Sequence, residues 1–225
     1  NQYTILFDLD GTLVDTAPDL MRAHNHVMKK FGYPTKSTEE IRNLVGQGAG
    51  AMLGRSIWGQ AKKEFSKVQD DKIKKEMVND FVDFYGKNIV NESTLIKGVK
   101  EFLIWAKQNK ISMGVCTNKQ EHLAVDLLKK IGIYDFFEYV AGYNTFEYCK
   151  PDPRHLTSVV EILGGDIKKT LMIGDSETDA NAAQSAGIPV ILLEDGYTEK
   201  NTTEIYHNHL VKDFVGIEKI VLKYL

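Results

Sequence analysis

The sequence predicts an α/β protein: a doubly wound, mostly parallel, Rossmann-like sheet with an inserted α-helical cap. Short apolar, β-prone runs alternate with amphipathic helical patterns from about residue 95 onward, and this alternation is typical of a parallel sheet covered by helices. One more β-prone run lies at residues 3–7, ahead of a long stretch with helical patterns and no convincing strand. The helical stretch is therefore predicted to be an insertion after the first strand.

Two domains are predicted from these boundaries in a chain of 225 residues. Residues 1–15 and 94–225 would form the α/β core, and residues 16–93 the α-helical cap. In the cap, Thr16 with Pro18 is typical of a helix start, and Ser37 with Glu40 has the spacing of a capping box. Apolar residues at steps of three and four predict a third helix: Met77, Val78, Phe81, Val82, Phe84 and Tyr85.

In the predicted core, helices and strands follow one another in regular order. Helices are predicted at residues 99–108, 121–131, 155–163 and 177–186. Strands are predicted at residues 111–116, near 139–141, at 170–173 and at 190–193, with 209–211 as a candidate edge strand.

Composition excludes several classes of partner. The chain has 28 Lys and Arg against 31 Asp and Glu, a net charge of −3, and no dense basic tract, so we expect no nucleic-acid partner. No run approaches the roughly 20 apolar residues of a membrane span. With only Cys116 and Cys149 and no secretory signal in the apolar run at 3–7, a cytoplasmic location is expected. Monomer and homodimer both remain open.

Polar residues follow four of the predicted strands. Ligands of open α/β sheets bind at the carboxyl ends of the strands, so these side chains are expected to converge. They comprise four carboxylates, a hydroxyl, an amide and an ammonium, which together could hold a divalent cation and a phosphate: Asp8, Asp10, Thr117, Asn118, Lys150, Asp175 and Asp179.

These residues resemble the four ordered motifs of the haloacid dehalogenase-like hydrolase superfamily. The resemblance covers nearly the whole chain and rests on Asp8-Leu9-Asp10-Gly11-Thr12, Thr117-Asn118, Lys150-Pro151, and Gly174-Asp175-Ser176 with Asp179. The first motif alone fixes four positions, which arise together by chance in about one placement in 10⁵ at residue frequencies of roughly 6%.

The resemblance implies a Mg²⁺-dependent phosphatase. Asp8 would attack phosphorus and form an aspartyl phosphate, while Asp10 would give a proton to the leaving oxygen and later take one from water. Asp8, the backbone carbonyl of Asp10 and Asp175 would hold Mg²⁺. Asp179, the remaining metal-site residue, would orient a water on the metal rather than bind it directly.

The same resemblance implies a phosphate site and a small phosphorylated metabolite as substrate. Thr117 and Lys150 would hold the phosphoryl oxygens, helped by backbone N–H groups after Asp8 and near Asn118. Gly11 would let the chain turn closely around the phosphate.

Simpler roles are open for several of these residues. Asp8 could be a turn residue at a strand end. Asp175 and Asp179 could favour the start of a helix. Thr117 could cap a helix, and Lys150 could be an exposed lysine.

Residues 45–55 resemble the cap segment of phosphoglycolate phosphatases, in which a V-G-x-G run precedes Leu and Arg. That resemblance implies substrate contacts by Gly46, Gly48 and Arg55, with Arg55 as a ligand for a carboxylate. A glycine-rich turn between helices and a surface ion pair of Arg55 are the alternatives. The chain also has Ile96-Lys97-Gly98 where that subfamily commonly has Tyr-Pro-Gly. Phosphoglycolate is therefore the first candidate substrate, and the choice stays open.

Other functions remain open at the level of sequence. A sugar-phosphate phosphatase or mutase, or a pyrophosphatase, would share the same motifs. A dehalogenase would not need Asp10, and a phosphonate-cleaving relative would need a cap lysine, for which Lys29 and Lys30 are candidates. A catalytically inactive binding protein on this fold is the alternative from a different class, although all the core motif positions are filled.

Overall fold

The computed structural model describes residues 3–58 and 70–224. Its strands are β1 (Thr4–Phe7), β2 (Val14–Asp15), β3 (Thr94–Leu95), β4 (Ser112–Cys116), β5 (Tyr139–Ala141), β6 (Thr170–Gly174), β7 (Val190–Leu193) and β8 (His209–Val211). Its α-helices are α1 (Ala17–Phe31), α2 (Thr38–Arg42), α3 (Ala49–Trp58), α4 (Asp70–Lys87), α5 (Val99–Gln108), α6 (Glu121–Ile131), α7 (Arg154–Ile162), α8 (Glu177–Ala186) and α9 (Glu218–Val221).

Six of the strands form one parallel sheet in the order β5-β4-β1-β6-β7-β8. Phe7 of the central strand pairs with Val115 on one side and Ile173 on the other. Side chains of β1 alternate between two apolar clusters, with Ile5 and Phe7 in one and Leu6 in the other. The strand is therefore buried on both faces, as in doubly wound sheets. The predicted fold class is confirmed.

The described helices between β2 and β3 pack mainly on one another. Helix α1 lies against α2 and α4, and α3 lies against α4. The predicted apolar face of α4 is present, with Met77, Phe81 and Tyr85 buried. Ser37 and Glu40 form the predicted capping box, in which each side chain accepts the other's backbone N–H. Residues 59–69 of the predicted cap lie outside the described residues, and the division into core and cap domains stays a prediction.

Two local features differ from expectation. The antiparallel pair of β2 and β3 has only two residues in each strand, too few for any periodic signal. Thr16 precedes α1 as predicted, but its hydroxyl donates to Asp10 Oδ1 at 2.6 Å instead of accepting a helix N–H. Within residues 3–58 and 70–224, no helix is long and apolar enough to cross a membrane.

Asp19 on α1 holds the chain where it returns from the helices to the sheet. Its side chain is almost fully buried. Oxygen Oδ2 accepts the backbone N–H groups of Asn91, Glu92 and Ser93 at 2.9–3.0 Å, and the Ser93 hydroxyl at 2.7 Å. One carboxylate therefore satisfies three backbone donors that no helix or strand would pair.

Replacing Asp19 should destabilise the protein far more than replacing an exposed aspartate on another helix between β2 and β3. Asp19→Ala leaves the buried N–H and hydroxyl of Ser93, and the N–H groups of Asn91 and Glu92, without this acceptor, so we expect a loss of about 2–4 kcal/mol in the free energy of unfolding. The matched control is Asp83→Ala, since Asp83 is exposed and pairs with the exposed Lys87; it should cost about 0.5 kcal/mol or less. Denaturant unfolding measures both, and equal losses would contradict the anchoring role.

Candidate active site

Three polar residues stand directly after three adjacent strands. Asp8 follows β1, Thr117 follows β4 and Asp175 follows β6, and these strands are neighbours in the order β4-β1-β6. Because the strands are parallel, their carboxyl ends meet at one edge of the sheet. Lys150 reaches the same place from the loop after β5, and Asp179 from the first turn of α8. The predicted convergence is present.

Lys150 is the centre of the charged cluster. Its ammonium donates to Asp8 Oδ1 at 2.8 Å and to Asp179 Oδ1 at 2.6 Å, and the residue is 3% exposed. Burial alone would lower the pKa of Lys150, but the adjacent charges of Asp179 and Asp8 outweigh burial and raise it. Lys150 is thus a buried cation with two anionic partners, which excludes the exposed-lysine alternative.

The carboxylates outnumber the cation in this cluster. One oxygen from each of Asp8, Asp175 and Asp179 lies within 4.8 Å of the others. Burial, followed by the charge of Asp179, raises the pKa of Asp8 to about 6 despite Lys150. Burial and the charges of Asp8 and Asp179 raise the pKa of Asp175 well above its usual range. When all four groups are ionised, three carboxylates and one ammonium leave two excess negative charges. One divalent cation would neutralise them.

Asp175 and Asp179 are held differently within the cluster. Asp175 accepts one donor on each oxygen, the Thr12 hydroxyl at 2.7 Å and the Tyr197 N–H at 2.6 Å. Asp179 Oδ2 accepts three donors, the N–H of Asp175 and the N–H and hydroxyl of Ser176, at 3.0–3.1 Å. Asp179 therefore caps the start of α8 through Oδ2 and pairs with Lys150 through Oδ1. The helix-start role and the place in the charged cluster are compatible.

Asp10 lies apart from those three carboxylates. Its Oδ1 accepts the Thr16 hydroxyl at 2.6 Å and the Lys119 ammonium at 2.7 Å. Its side chain lines the same cavity as that of Asp8. The predicted contact of Asp10 with a metal is through the backbone carbonyl, and it stays a prediction.

Thr117 and Asn118 occupy the turn after β4. Thr117 is buried and its hydroxyl accepts the Lys119 N–H at 3.1 Å. Since α6 begins at Glu121, Thr117 does not cap that helix. The amide of Asn118 donates to the carbonyls of Lys150 at 2.8 Å and Gly46 at 3.0 Å, which joins the charged cluster to the loop before α3.

Gly11 makes a tight turn, but its close neighbours are protein groups. Its φ is +81°, and a Cβ there would lie 2.4 Å from Asp175 Oδ2 and 2.8 Å from the Tyr197 ring. Its N–H donates to the carbonyl of Val14 at 2.8 Å. The absence of a side chain at Gly11 therefore lets the Asp8–Asp10 turn approach Asp175.

A cavity of about 790 Å³ opens beside Asp8 and Asp10. Its walls come from the loop before α3, the apolar face of α4 and the turn after β4. Gly46 and Gly48 line it, with φ values of +109° and +89°. Both lie in the turn between α2 and α3, so this glycine-rich turn forms part of the cavity wall.

Arg55 does not line this cavity, contrary to the expectation that it binds a substrate carboxylate. Its guanidinium donates to the backbone carbonyl of Leu44, and it lies 3.7 Å from the Glu199 carboxylate. Because Arg55 lies one turn from the end of α3, its long side chain reaches back to brace the preceding loop. The alternative of a structural arginine therefore fits the arrangement better.

Two residues beside Asp10 were not predicted to belong to the site. Lys119 follows Thr117-Asn118 and lies 4.6 Å above the ring of Tyr85, with its side chain 6% exposed. Lys119 could have been predicted as a site residue from the sequence, because it follows Thr117-Asn118 at the carboxyl end of β4. Tyr85 gave no such signal, because its place in the apolar period of α4 is that of an ordinary core residue.

A second network, also unpredicted, links the helices to the sheet edge. Arg42 on α2 donates two hydrogen bonds to Asp15, at 2.8 and 2.9 Å. The Tyr197 hydroxyl donates to the same carboxylate and accepts the Ala17 N–H at 3.0 Å. These contacts join residues far apart in sequence, which no local pattern indicates.

Comparison with known proteins agrees with this geometry. Residues 5–193 match the family described as haloacid dehalogenase-like hydrolases. The chain is 36% identical to the phosphoglycolate phosphatase of Mesorhizobium japonicum, over 93% of this chain and 90% of that protein. It is also 36% identical to that of Caulobacter vibrioides, over 100% and 93%. A crystal structure of a predicted phosphoglycolate phosphatase from Haemophilus somnus is similar with a TM-score of 0.88 and 32% identity, over 97% of each chain.

The steric role of Gly11 can be separated from its backbone conformation. Gly32 has a similar φ of +76°, but a Cβ there would meet nothing within 4 Å. Gly32→Ala should therefore cost only about 1–2 kcal/mol of stability for the left-handed backbone. Gly11→Ala should cost a further amount of about 1–3 kcal/mol, because the new methyl group displaces Asp175 or Tyr197. Equal losses of unfolding free energy for the two variants would contradict the close approach.

Proposed function

The chain belongs to the haloacid dehalogenase-like hydrolases, and from that membership we propose that it is a Mg²⁺-dependent phosphatase that acts through an aspartyl phosphate at Asp8. The observation that carries the proposal is the buried cluster of Asp8, Lys150, Asp175 and Asp179 at the carboxyl edge, with Asp10 beside it in a cavity. Nucleophile, metal ligands and a separate acid are the groups that this reaction requires.

The chemistry of the donor set fits Mg²⁺. The cluster offers only oxygen ligands, which hard divalent cations prefer, and its two excess negative charges match one such ion. Asp8 and Asp175 would hold it, because their oxygens carry fewer donors than Asp179 Oδ2. When bound, the cation would offset the negative charge of the phosphoryl group and so favour approach of an anionic nucleophile.

The nucleophile is fixed by its ion pair. The hydrogen bond from Lys150 restrains the Asp8 carboxylate, so little orientational entropy is lost when it attacks. As the bond from Asp8 to phosphorus forms, the bond from phosphorus to the leaving oxygen breaks. Water then attacks phosphorus and releases Asp8 with inorganic phosphate.

Asp10 supplies and recovers the proton. It lines the cavity and is restrained by Thr16 and Lys119, which leaves its second oxygen without a donor among the described residues. Asp10 would protonate the leaving oxygen in the first step and take a proton from water in the second. Two carboxylates in different surroundings can fill these two roles.

A small anionic ester suits the cavity, and we take phosphoglycolate as the substrate. Support comes from the names of the relatives, which match this chain over nearly its whole length. Lysines outside the charged cluster also line the cavity, on the turn after β4 and on α4. A second anionic group on the substrate would find partners there.

Asparagine at either catalytic aspartate should abolish turnover without unfolding the protein. Asp8→Asn removes the nucleophile and Asp10→Asn removes the acid, so each should lower kcat for phosphate release with Mg²⁺ by at least about 10³-fold. Asp83→Asn, an exposed change, is the control and should keep full activity. Circular dichroism checks the fold. Near-normal turnover of Asp8→Asn would contradict the covalent route.

Mg²⁺ should stabilise the protein more at neutral than at acid pH. The raised pKa values of Asp8 and Asp175 mean that the metal-free fold keeps protons that the unfolded chain releases, so its stability falls as pH rises from about 4 through 6. Mg²⁺ binds the ionised carboxylates and competes with those protons. We therefore expect about 10 mM Mg²⁺ to raise the Tm more near pH 7.5 than near pH 5.

Two controls accompany the metal measurement. Asp175→Asn should remove most of the Tm increase because it removes one ligand charge. Ca²⁺ should also raise the Tm but inhibit turnover, since its looser and higher coordination would engage both Asp8 oxygens. Full activity in the presence of a chelator, or a Tm increase that does not depend on pH, would contradict the metal assignment.

A further inference from the structure

Lys119 is a buried cation that lines the cavity outside the cluster of Asp8, Lys150, Asp175 and Asp179. Lys150 is already committed to Asp8 and Asp179. Lys119 lines the cavity beside Asp10, and of the described residues only the Asp10 carboxylate accepts a hydrogen bond from its ammonium. An ammonium has three N–H donors. A ligand in the cavity could therefore accept a further bond from it.

Tyr85 presents a second unused donor at the same place. Its ring lines the cavity beneath the Lys119 ammonium, at 4.6 Å from the centroid. Its hydroxyl is buried and has no hydrogen-bond partner among the described residues. Burial, together with the charges of Asp10, Asp19 and Tyr197, raises the pKa of Tyr85 well above 10, so the hydroxyl remains a donor at neutral pH. Leaving such a group unpaired costs stability unless a ligand pairs with it.

We propose that Lys119 and Tyr85 form the subsite for the carboxylate of the substrate, a group carried on the carbon next to the ester oxygen. This assignment rests on the proposed phosphatase function. A carboxylate has two oxygens, and the pair offers it one charged and one neutral donor. Lys119 thus replaces Arg55 as the residue that recognises the second anionic group.

The covalent geometry of such a substrate fits the position of Lys119. The leaving oxygen must lie within hydrogen-bond distance of Asp10 to receive its proton. In a glycolate ester, one carbon separates that oxygen from the carboxylate, so the carboxylate oxygens lie about 3–4 Å from it. Lys119 Nζ is 2.7 Å from Asp10 Oδ1. The carboxylate and the ammonium are therefore neighbours of the same Asp10 side chain.

The other lysines on the cavity wall are less suited to this task. Lys74 and Lys75 lie near the start of α4, where Lys74 is partly exposed and Lys75 is exposed. A charge in contact with solvent is screened and contributes less to discrimination between ligands than a buried one. The side chain of Lys119 is shielded by Tyr85 and Asp10, so its bond to an anion would be stronger.

The test compares two esters that differ only at the proposed contact. The ratio of kcat/KM for phosphoglycolate to kcat/KM for ethyl phosphate, with Mg²⁺ present, reports the carboxylate contact alone. Any effect of Lys119 on Asp10 alters both esters and cancels in the ratio. Lys119→Met should lower the ratio by about 10- to 150-fold, the range for a hydrogen bond to a charged group. Tyr85→Phe should lower it by at least about fivefold.

Three controls make the result specific. Lys119→Arg keeps the charge and should retain most of the ratio. Lys87→Met removes an exposed lysine two positions from Tyr85 and should leave the ratio within about twofold of wild type. Inhibition by inorganic phosphate, which lacks the carboxylate, should stay within about threefold in every variant and so verify the fold.

The outcomes separate the subsite from the phosphatase function. If wild type hydrolyses both esters and the ratio is unchanged in Lys119→Met, Lys119 serves Asp10 alone and the subsite is wrong. An unchanged ratio in Tyr85→Phe overturns the role of the hydroxyl. If wild type hydrolyses neither ester with Mg²⁺, the proposed phosphatase function itself is wrong.

Discussion

The ion pairs of Lys150 with Asp8 and Asp179 are the interaction on which the rest of the site depends. Buried carboxylates of like charge repel one another, and burial raises the pKa of Asp8 and Asp175. One ammonium offsets part of that cost, and the remaining excess of negative charge makes the place suited to a divalent cation. The strand order β4-β1-β6 brings the groups together, and the missing side chain at Gly11 lets them approach.

The charged cluster is also tied to the walls of the cavity. Asn118 donates to the carbonyls of both Lys150 and Gly46, so one amide joins the cluster to the loop before α3. Tyr197 donates its N–H to Asp175 and its hydroxyl to Asp15, which also binds Arg42 of α2. The residues that hold the charged cluster thus also contact α2 and the loop before α3, and that loop lines the cavity.

The sheet and the meeting of the motif residues at its carboxyl edge could be predicted from the sequence, because strands, helices and strand ends follow from local patterns. Buried strands of β-prone residues and amphipathic helices have periods that the chain itself displays. The two-residue strands β2 and β3 have none, and they pair residues that lie far apart in the sequence, Val14 with Leu95 and Asp15 with Thr94. The hydrogen bonds of Thr16 to Asp10 and of Arg55 to Leu44 could not be predicted, since each depends on contacts within the folded chain. Tyr85 could not be predicted as a site residue, because its contact with Lys119 depends on the packing of α4 over the turn after β4.

The most direct test of Asp8 as the nucleophile is a crystal structure with Mg²⁺ and beryllium fluoride, which mimics a phosphoryl group. We expect beryllium to be bonded to a carboxylate oxygen of Asp8, with one cation held by Asp8 and Asp175, and with Lys150 retained beside them. Beryllium fluoride on any other side chain would contradict Asp8 as the nucleophile. A cation bound away from Asp175 would contradict the carboxylate cluster as the cation site.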